Sequence, residues 1–214
     1  FESVTVNPGL ATLTLNYKPN TSGSAILTIK ATDKGVPGVP NSSQSVETSF
    51  DVTVGGVNDA PTLTSFSKNT EEDVAIQFTL NDFTSKYSDE DGDPLVNIRI
   101  DTLPANGTLK LGAANVTANQ VIPAANVAEL IFVPAPNWDQ GATTFDWNAS
   151  DGAAFAATPA TVTINVGAKN DAPIVTNFEK FGQEGINVLF TETDFTGSFS
   201  DVDGDSLVKI KIDS

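Results

Sequence analysis

The chain has 214 residues, with 11 Lys and Arg against 27 Asp and Glu, a formal charge of −16 at neutral pH. That balance opposes binding to nucleic acid or anionic lipid and favours cations and solubility. Cys, Met and His are absent, which removes a disulfide framework, a thiolate nucleophile, a Ser-His triad and the usual zinc ligands.

No stretch reaches about 18 consecutive apolar residues, and no basic segment leads into an apolar one, so neither a membrane span nor a signal peptide is visible. Helical periodicity is hard to find, whereas apolar and polar residues alternate in short runs bounded by Gly, Pro, Asn and Asp. In chain order, the opening stretch holds a glycine-ended loop, Pro19-Asn20-Thr21-Ser22-Gly23, then a loop opened by Asp33, and closes on Val57-Asn58-Asp59-Ala60-Pro61. A strand is predicted over Val74-Ala75-Ile76-Gln77-Phe78-Thr79-Leu80, with Val74, Ile76, Phe78 and Leu80 on one buried face. An acidic cluster, Asp89-Glu90-Asp91-Gly92-Asp93, precedes a second alternating run with Val96, Ile98 and Ile100 on one face. Thr108-Leu109-Lys110-Leu111 follows the turn signal Asn106-Gly107, and a further strand starts near Asn115. Leu130 to Val133, Thr143 to Ala149 and Thr161 to Val166 complete the set. About seven strands in about 110 residues is the signature of an immunoglobulin-like sandwich.

The acidic cluster returns as Asp201-Val202-Asp203-Gly204-Asp205, an offset in numbering of 201 − 89 = 112. The same offset carries Asn58-Asp59-Ala60-Pro61 onto Asn170-Asp171-Ala172-Pro173 and Pro94 to Asp101 onto Ser206 to Asp213. The chain is therefore a tandem repeat with a period typical of one domain. Its phase predicts three units: the closing part of a repeat over 1–58, a complete repeat over 59–170, and the opening part of another over 171–214. Neither end then coincides with a unit boundary, so the chain reads as part of a longer protein. Within 1–58 the match to the closing half is direct, because Pro19 to Gly23 aligns with Pro136 to Gly141 with one residue lost, and Asp33 aligns with Asp151.

Four carboxylates in five positions raise one another's ionisation cost unless a cation sits among them. A hard divalent cation with oxygen ligands answers that charge problem, and a solvated acidic turn is the alternative for Asp89, Asp91, Asp201 and Asp203. Asp93 and Asp205 either join them or cap the strand that follows. Asp151 and Asp33 are either ligands or ordinary turn residues, and Glu72 is either a ligand or a surface group. An EF-hand loop is excluded, since its sixth position requires Gly and here holds Pro94. Trp138 and Trp147 invite a sugar-stacking reading, but Phe145, Trp147 and Ala149 share one face of an alternating strand, which predicts core.

Asp82-Phe83, Asp89 to Leu95, Leu103 to Leu109, Pro136-Asn137-Trp138, Ala149-Ser150-Asp151-Gly152 and Asn170-Asp171-Ala172-Pro173, in that order, resemble the cadherin-like (tandem-95 type) repeats of large bacterial surface proteins. The resemblance implies an all-β fold of tandem immunoglobulin/cadherin-like sandwiches with Greek-key connections. It also implies Ca2+ at each junction between neighbouring repeats. The junction before the complete repeat would use Asn58, Asp59, Asp89, Asp91 and Asp151, and the junction after it Glu72, Asn170, Asp171, Asp201 and Asp203. The first unit resembles animal cadherins too, through Ala31-Thr32-Asp33-Lys34-Gly35-Val36-Pro37. Two departures reduce the expected number of ions: Gly56 and Ala168 stand where the fuller linker has Asp, and an Asp-Arg-Glu motif has no match unless Asp139 or Gln140 takes its place.

The function this implies is a calcium-rigidified spacer of an exported, extracellular adhesin at the cell surface. Its partners would be calcium ions and neighbouring repeats of the same chain, with no nucleic acid and no membrane insertion. The alternatives are a module that binds a surface glycan or a protein ligand, or accessory repeats of a secreted polysaccharide-active enzyme. No catalytic residue is expected.

Overall fold

The computed structural model describes residues 2–7, 12–139 and 141–213; Gln140, one of the two substitutes for the missing cadherin motif, lies outside them. Residues 2–58 carry β1 (Ser3–Asn7), β2 (Thr12–Asn16), β3 (Gly23–Thr32) and β4 (Ser45–Val54). β1 pairs with β2 and β3 with β4, both antiparallel.

Residues 59–170 form a sandwich. Its strands are β5 (Thr62–Leu63), β6 (Phe66–Glu71), β7 (Ile76–Gln77), β8 (Tyr87–Ser88), β9 (Asn97–Ile100), β10 (Gly107–Leu111), β11 (Ala114–Asn115), β12 (Gln120–Pro123), β13 (Leu130–Pro134), β14 (Gly141–Ser150) and β15 (Ala160–Gly167). Seven of these reach four residues or more; β9, β10, β13, β14 and β15 stand where alternation predicts strands, β6 and β12 stand where it predicts none, and the strand expected from near Asn115 is only the two-residue β11. A five-stranded sheet runs β12-β9-β14-β15-β6 and a four-stranded sheet β11-β10-β13-β7. The chain changes sheet between β6 and β7, β9 and β10, β11 and β12, β12 and β13, and β13 and β14, the crossing pattern of an immunoglobulin-like sandwich.

Between the sheets lies one core that includes Phe78, Phe83, Ile98, Ile100, Leu109, Phe132, Phe145, Trp147, Val162 and Ile164. Phe145, Trp147 and Ala149 are at most 1% exposed, so the alternation of β14 predicts their burial correctly. The Phe83 and Trp147 rings meet edge to face at 5.0 Å, and Phe66 packs on both at 5.5 and 6.2 Å. Such pairs add to the area they bury. Trp138 is half-buried and packs against this core.

The strand expected over Val74–Leu80 is corrected by the structure. Only Ile76–Gln77 pairs, Val74 and Leu80 are 39% and 41% exposed, and α1 (Leu80–Thr84) begins instead. The cause is a capping box: the Thr79 hydroxyl accepts from the Asp82 N–H, and the Asp82 carboxylate accepts from the Thr79 N–H at 2.8 Å. Lys68 Nζ then holds Asp82 at 2.6 Å. So short a helix shows no helical periodicity, which is why alternation hid it. Val96 is also not on the buried face, at 41% exposed, although Ile98 and Ile100 are fully buried.

Residues 171–213 repeat the opening of the sandwich with β16 (Ile174–Val175), α2 (Glu192–Thr196) and β17 (Phe199–Ser200). β16 pairs with β17 as β5 pairs with β8. Thr191 and Asp194 repeat the capping box, Lys180 Nζ meets Asp194 at 2.5 Å, and Phe178, Phe190 and Phe195 cluster at 5.7 to 6.3 Å.

Candidate metal junctions

The acidic loop lies between β8 and β9, at the end of the sandwich that faces residues 55–60. Asp89 starts it and organises it: its Oδ1 accepts the Asp91 N–H at 3.0 Å and the Asp93 N–H at 3.1 Å. Gly92 turns the chain with φ +80°, a left-handed conformation that glycine adopts at no steric cost, and Gly204 repeats it at +81°. One carboxylate oxygen from each of Asp89, Asp91 and Asp93 lies within 4.8 Å of the other two. Asp89 Oδ2 is buried and has no hydrogen-bond partner among the described residues. A buried carboxylate oxygen without a donor is costly, and a cation is one way to satisfy it.

The linker is tied to this loop through its backbone. The Asp59 N–H donates to Asp91 Oδ2 at 2.7 Å. Asn58 Nδ2 donates to the Asp59 carbonyl and to Asp151 Oδ2, each at 3.0 Å. Asp151, 9% exposed, also accepts the Ala153 and Ala154 N–H groups on Oδ1 at 2.6 and 2.7 Å. The Ala154 N–H and the Asn58 amide hold its carboxyl below the usual carboxylate range. Thus Asn58, Asp59, Asp89, Asp91, Asp93 and Asp151 are brought to one place, and the side-chain and backbone oxygens they present there are the ligand chemistry of a hard cation such as calcium.

Tyr87 belongs to this group, although alternation alone gives it no special role. Its hydroxyl donates to the Asp93 carbonyl at 3.0 Å. Burial, followed by the charges of Asp89, Asp151 and Asp93, pushes its ionisation up to about 12.

At the second junction the same hydrogen bonds recur one repeat later. Asp171 N–H donates to Asp203 Oδ2 at 2.7 Å, Asp201 Oδ1 accepts from Asp203 and Asp205 at 3.0 and 3.2 Å, and Asn170 Nδ2 donates to the Asp171 carbonyl at 2.8 Å. Glu72 reaches this linker from the complete repeat. It is 2% exposed, and its Oε1 accepts the Lys169 N–H at 2.8 Å. Asn137 of the Pro136–Trp138 loop donates to Asp73 at 3.4 Å, which puts Asp139's loop at the same end of the sandwich as Glu72. Among the described residues, Asp201, Asp203 and Asp205 do not form a group as tight as Asp89, Asp91 and Asp93.

Asp33 is not brought to either cluster by any of its hydrogen bonds. Its Oδ1 accepts the Gly35 and Gln44 N–H groups at 2.9 and 2.7 Å and so shapes its own loop.

Residues 58–165 match the family model of a bacterial Ig domain. No curated protein matches the chain. Among solved structures it is similar to extracellular cadherin domains 1–4 of protocadherin gamma B7, at 18% identity and TM-score 0.45, over 83% of this chain and 42% of that one. It is also similar to an endo-fucoidan hydrolase from glycoside hydrolase family 107, at 25% identity and TM-score 0.34, over 58% of this chain and 17% of that one. Another structure of such a hydrolase matches at 18% identity and TM-score 0.34, over 70% and 26%. The chain thus spans between 17% and 42% of the length of these solved chains.

Proposed function

The chain belongs to the bacterial Ig domain family, and from that premise we propose that it is a spacer segment of a large exported surface adhesin in which calcium stiffens each junction between repeats. The observation that carries this reading is the recurrence of one hydrogen-bond network, linker N–H to second loop Asp and first loop Asp to two loop N–H groups, at both junctions. An element repeated at every junction suits architecture better than a single active site.

The first junction would hold its ion with Asn58, Asp59, Asp89, Asp91, Asp93 and Asp151, the second with Glu72, Asn170, Asp171, Asp201, Asp203 and Asp205. Bound calcium supplies positive charge among carboxylates that otherwise repel. The residues themselves supply the mechanics: Asp91 and Asp203 fasten the linker backbone, and Asp151 and Glu72 anchor it from the body of the sandwich. Extracellular modules bind calcium at about 10⁻⁴ to 10⁻³ M. A site with a dissociation constant of about 10 µM in about 1 mM ion would stabilise the bound arrangement by roughly 2.7 kcal/mol. A site of that kind would be filled outside cells, where calcium is millimolar, which is the location this reading assigns to the chain. Among the described residues no helix is long and apolar enough to cross a membrane.

The chain carries no catalytic step in this reading, and its partners are calcium and neighbouring repeats. A glycan-binding role has little to rest on, because Trp147 is fully buried and Trp138 packs on the core. Calorimetric titration tests the proposal. Calcium should bind with sub-millimolar to millimolar affinity and raise the melting temperature, with magnesium much weaker; no heat and no shift in melting would refute it.

A further inference from the structure

The two acidic loops are entered from equivalent strands that differ in one side chain near the ion site. β8 is Tyr87-Ser88, directly before Asp89, and β17 is Phe199-Ser200, directly before Asp201. The backbone around the two positions is the same. Leu63 faces Tyr87 as Val175 faces Phe199. In each loop the first Asp accepts the N–H two residues on at 3.0 Å, and the N–H four residues on at 3.1 Å in one loop and 3.2 Å in the other. Gly92 and Gly204 turn at φ +80° and +81°. Phe199 thus stands where Tyr87 stands and differs from it only by the missing hydroxyl.

That hydroxyl donates to the Asp93 carbonyl at 3.0 Å. Asp93 is thereby held on both sides of its Cα, since its N–H already donates to Asp89 Oδ1 at 3.1 Å. Pro94 adds a third restraint, because the residue before a proline is disfavoured in the helical region. So restrained, Asp93 places a carboxylate oxygen within 4.8 Å of one each from Asp89 and Asp91, although the residue itself is exposed. Asp205 keeps the bond to Asp201, but a phenyl ring replaces the phenol and Ser206 replaces the proline.

We infer that Tyr87 is a positioning residue that sets the calcium threshold of its junction by ordering Asp93 before the ion arrives, so that a Tyr or a Phe at this place tunes each junction separately. The inference rests on the reading of both acidic loops as calcium sites. Backbone that must be ordered on binding takes its cost out of the affinity. One neutral hydrogen bond that does the ordering beforehand is worth about three- to tenfold in the dissociation constant. The Tyr87 ring packs against the core, and Phe keeps that ring, so removing the hydroxyl loosens the loop without emptying the core. A stalk that carries both kinds of junction stiffens in stages as calcium rises.

Calcium titration of the full chain, followed through the backbone NMR signals of Asn58 and Asn170, reads the two junctions separately. Tyr87→Phe should raise the dissociation constant at Asn58 by about three- to tenfold and leave that at Asn170 as it was. Phe199→Tyr should lower the constant at Asn170 by a similar factor and spare Asn58. The gain at the second junction is the readout that a damaged fold does not produce. Calcium binding at both junctions of the parent with neither constant moved would overturn this inference and leave the proposed function standing, as would a change in only one of the two variants. A parent chain that binds no calcium would overturn both.

Discussion

The backbone N–H of Asp59 donates to Oδ2 of Asp91 at 2.7 Å, and one repeat later that of Asp171 donates to Oδ2 of Asp203 at the same distance. Each bond joins a linker residue to a loop well downstream in the chain, so linker and loop are held together by the protein's own atoms. An ion arriving there meets a preorganised set of oxygens rather than a floppy tether, and less of its binding energy goes into ordering the chain.

Asp91→Ala removes that linker bond and one carboxylate at the first junction only. A hydrogen bond to a charged group is worth about 1.5–3 kcal/mol, so calcium affinity at that junction should fall by about tenfold or more. The second junction should keep its affinity, and Asp203→Ala should show the reverse pattern. Backbone NMR signals of Asn58 and Asn170 during a calcium titration separate the two. Equal loss at both junctions would contradict the residue assignment.

Tyr87 provides an internal probe of the first site. Its pKa is raised to about 12 by burial and then by Asp89, Asp151 and Asp93. A raised folded-state pKa contributes stability that is present below the unfolded value, about 10, and is lost as pH rises through about 12. Calcium among those carboxylates should offset their charge and move the ionisation down. Ultraviolet titration with and without calcium reads the shift, with Tyr87→Phe as the control; an unmoved Tyr87 would argue that the ion does not sit beside Asp89 and Asp93.

Acid should act on the second capping box. Lys180, then the Thr191 N–H, lowers the Asp194 pKa from 3.8 to about 2. A depressed carboxyl stabilises the folded state above its unfolded pKa, so this contribution should be present above pH 3.8 and fade as pH falls toward 2. Carboxyl NMR titration should show Asp194 among the last side chains to protonate, and Lys180→Met should return its midpoint toward 3.8. A midpoint insensitive to Lys180 would contradict the ion pair.

Mutations at the centre and at the margin of the core should separate cleanly. Trp147→Ala empties a fully buried site beside Phe83 and Phe66 and should cost about 3–5 kcal/mol in denaturant melts. Trp138→Ala, at a half-buried position on the core's margin, should cost clearly less. Comparable losses would mean that Trp138 is a core residue and not a marginal one.

Much of the sandwich was legible in alternation. The apolar rows of β14 and β15 each have a single reading, and both are buried as written. β6 was not legible, because Phe66-Ser67-Lys68-Asn69-Thr70-Glu71 has only one apolar residue and is held by parallel backbone pairing to β15. α1 was hidden because Thr79 and Asp82 act through capping, a local polar interaction that interrupts an otherwise regular apolar row. For the sites, the repeat offset exposed both acidic loops and both linkers, but it carried no sign of Tyr87, whose role depends on a hydroxyl reaching the Asp93 carbonyl. Asp33 shares its sequence context with Asp151, yet its carboxylate is taken up by its own loop, whereas that of Asp151 also receives the linker amide of Asn58.

The claim that calcium locks the junctions is tested most directly by size-exclusion-coupled small-angle scattering on the monomer peak of the full chain, first in about 1 mM calcium and then in chelator. The account predicts a defined maximum dimension with calcium, and a broader distribution of distances with a lower melting temperature without it. A maximum dimension and a melting temperature that are the same in both conditions would contradict it.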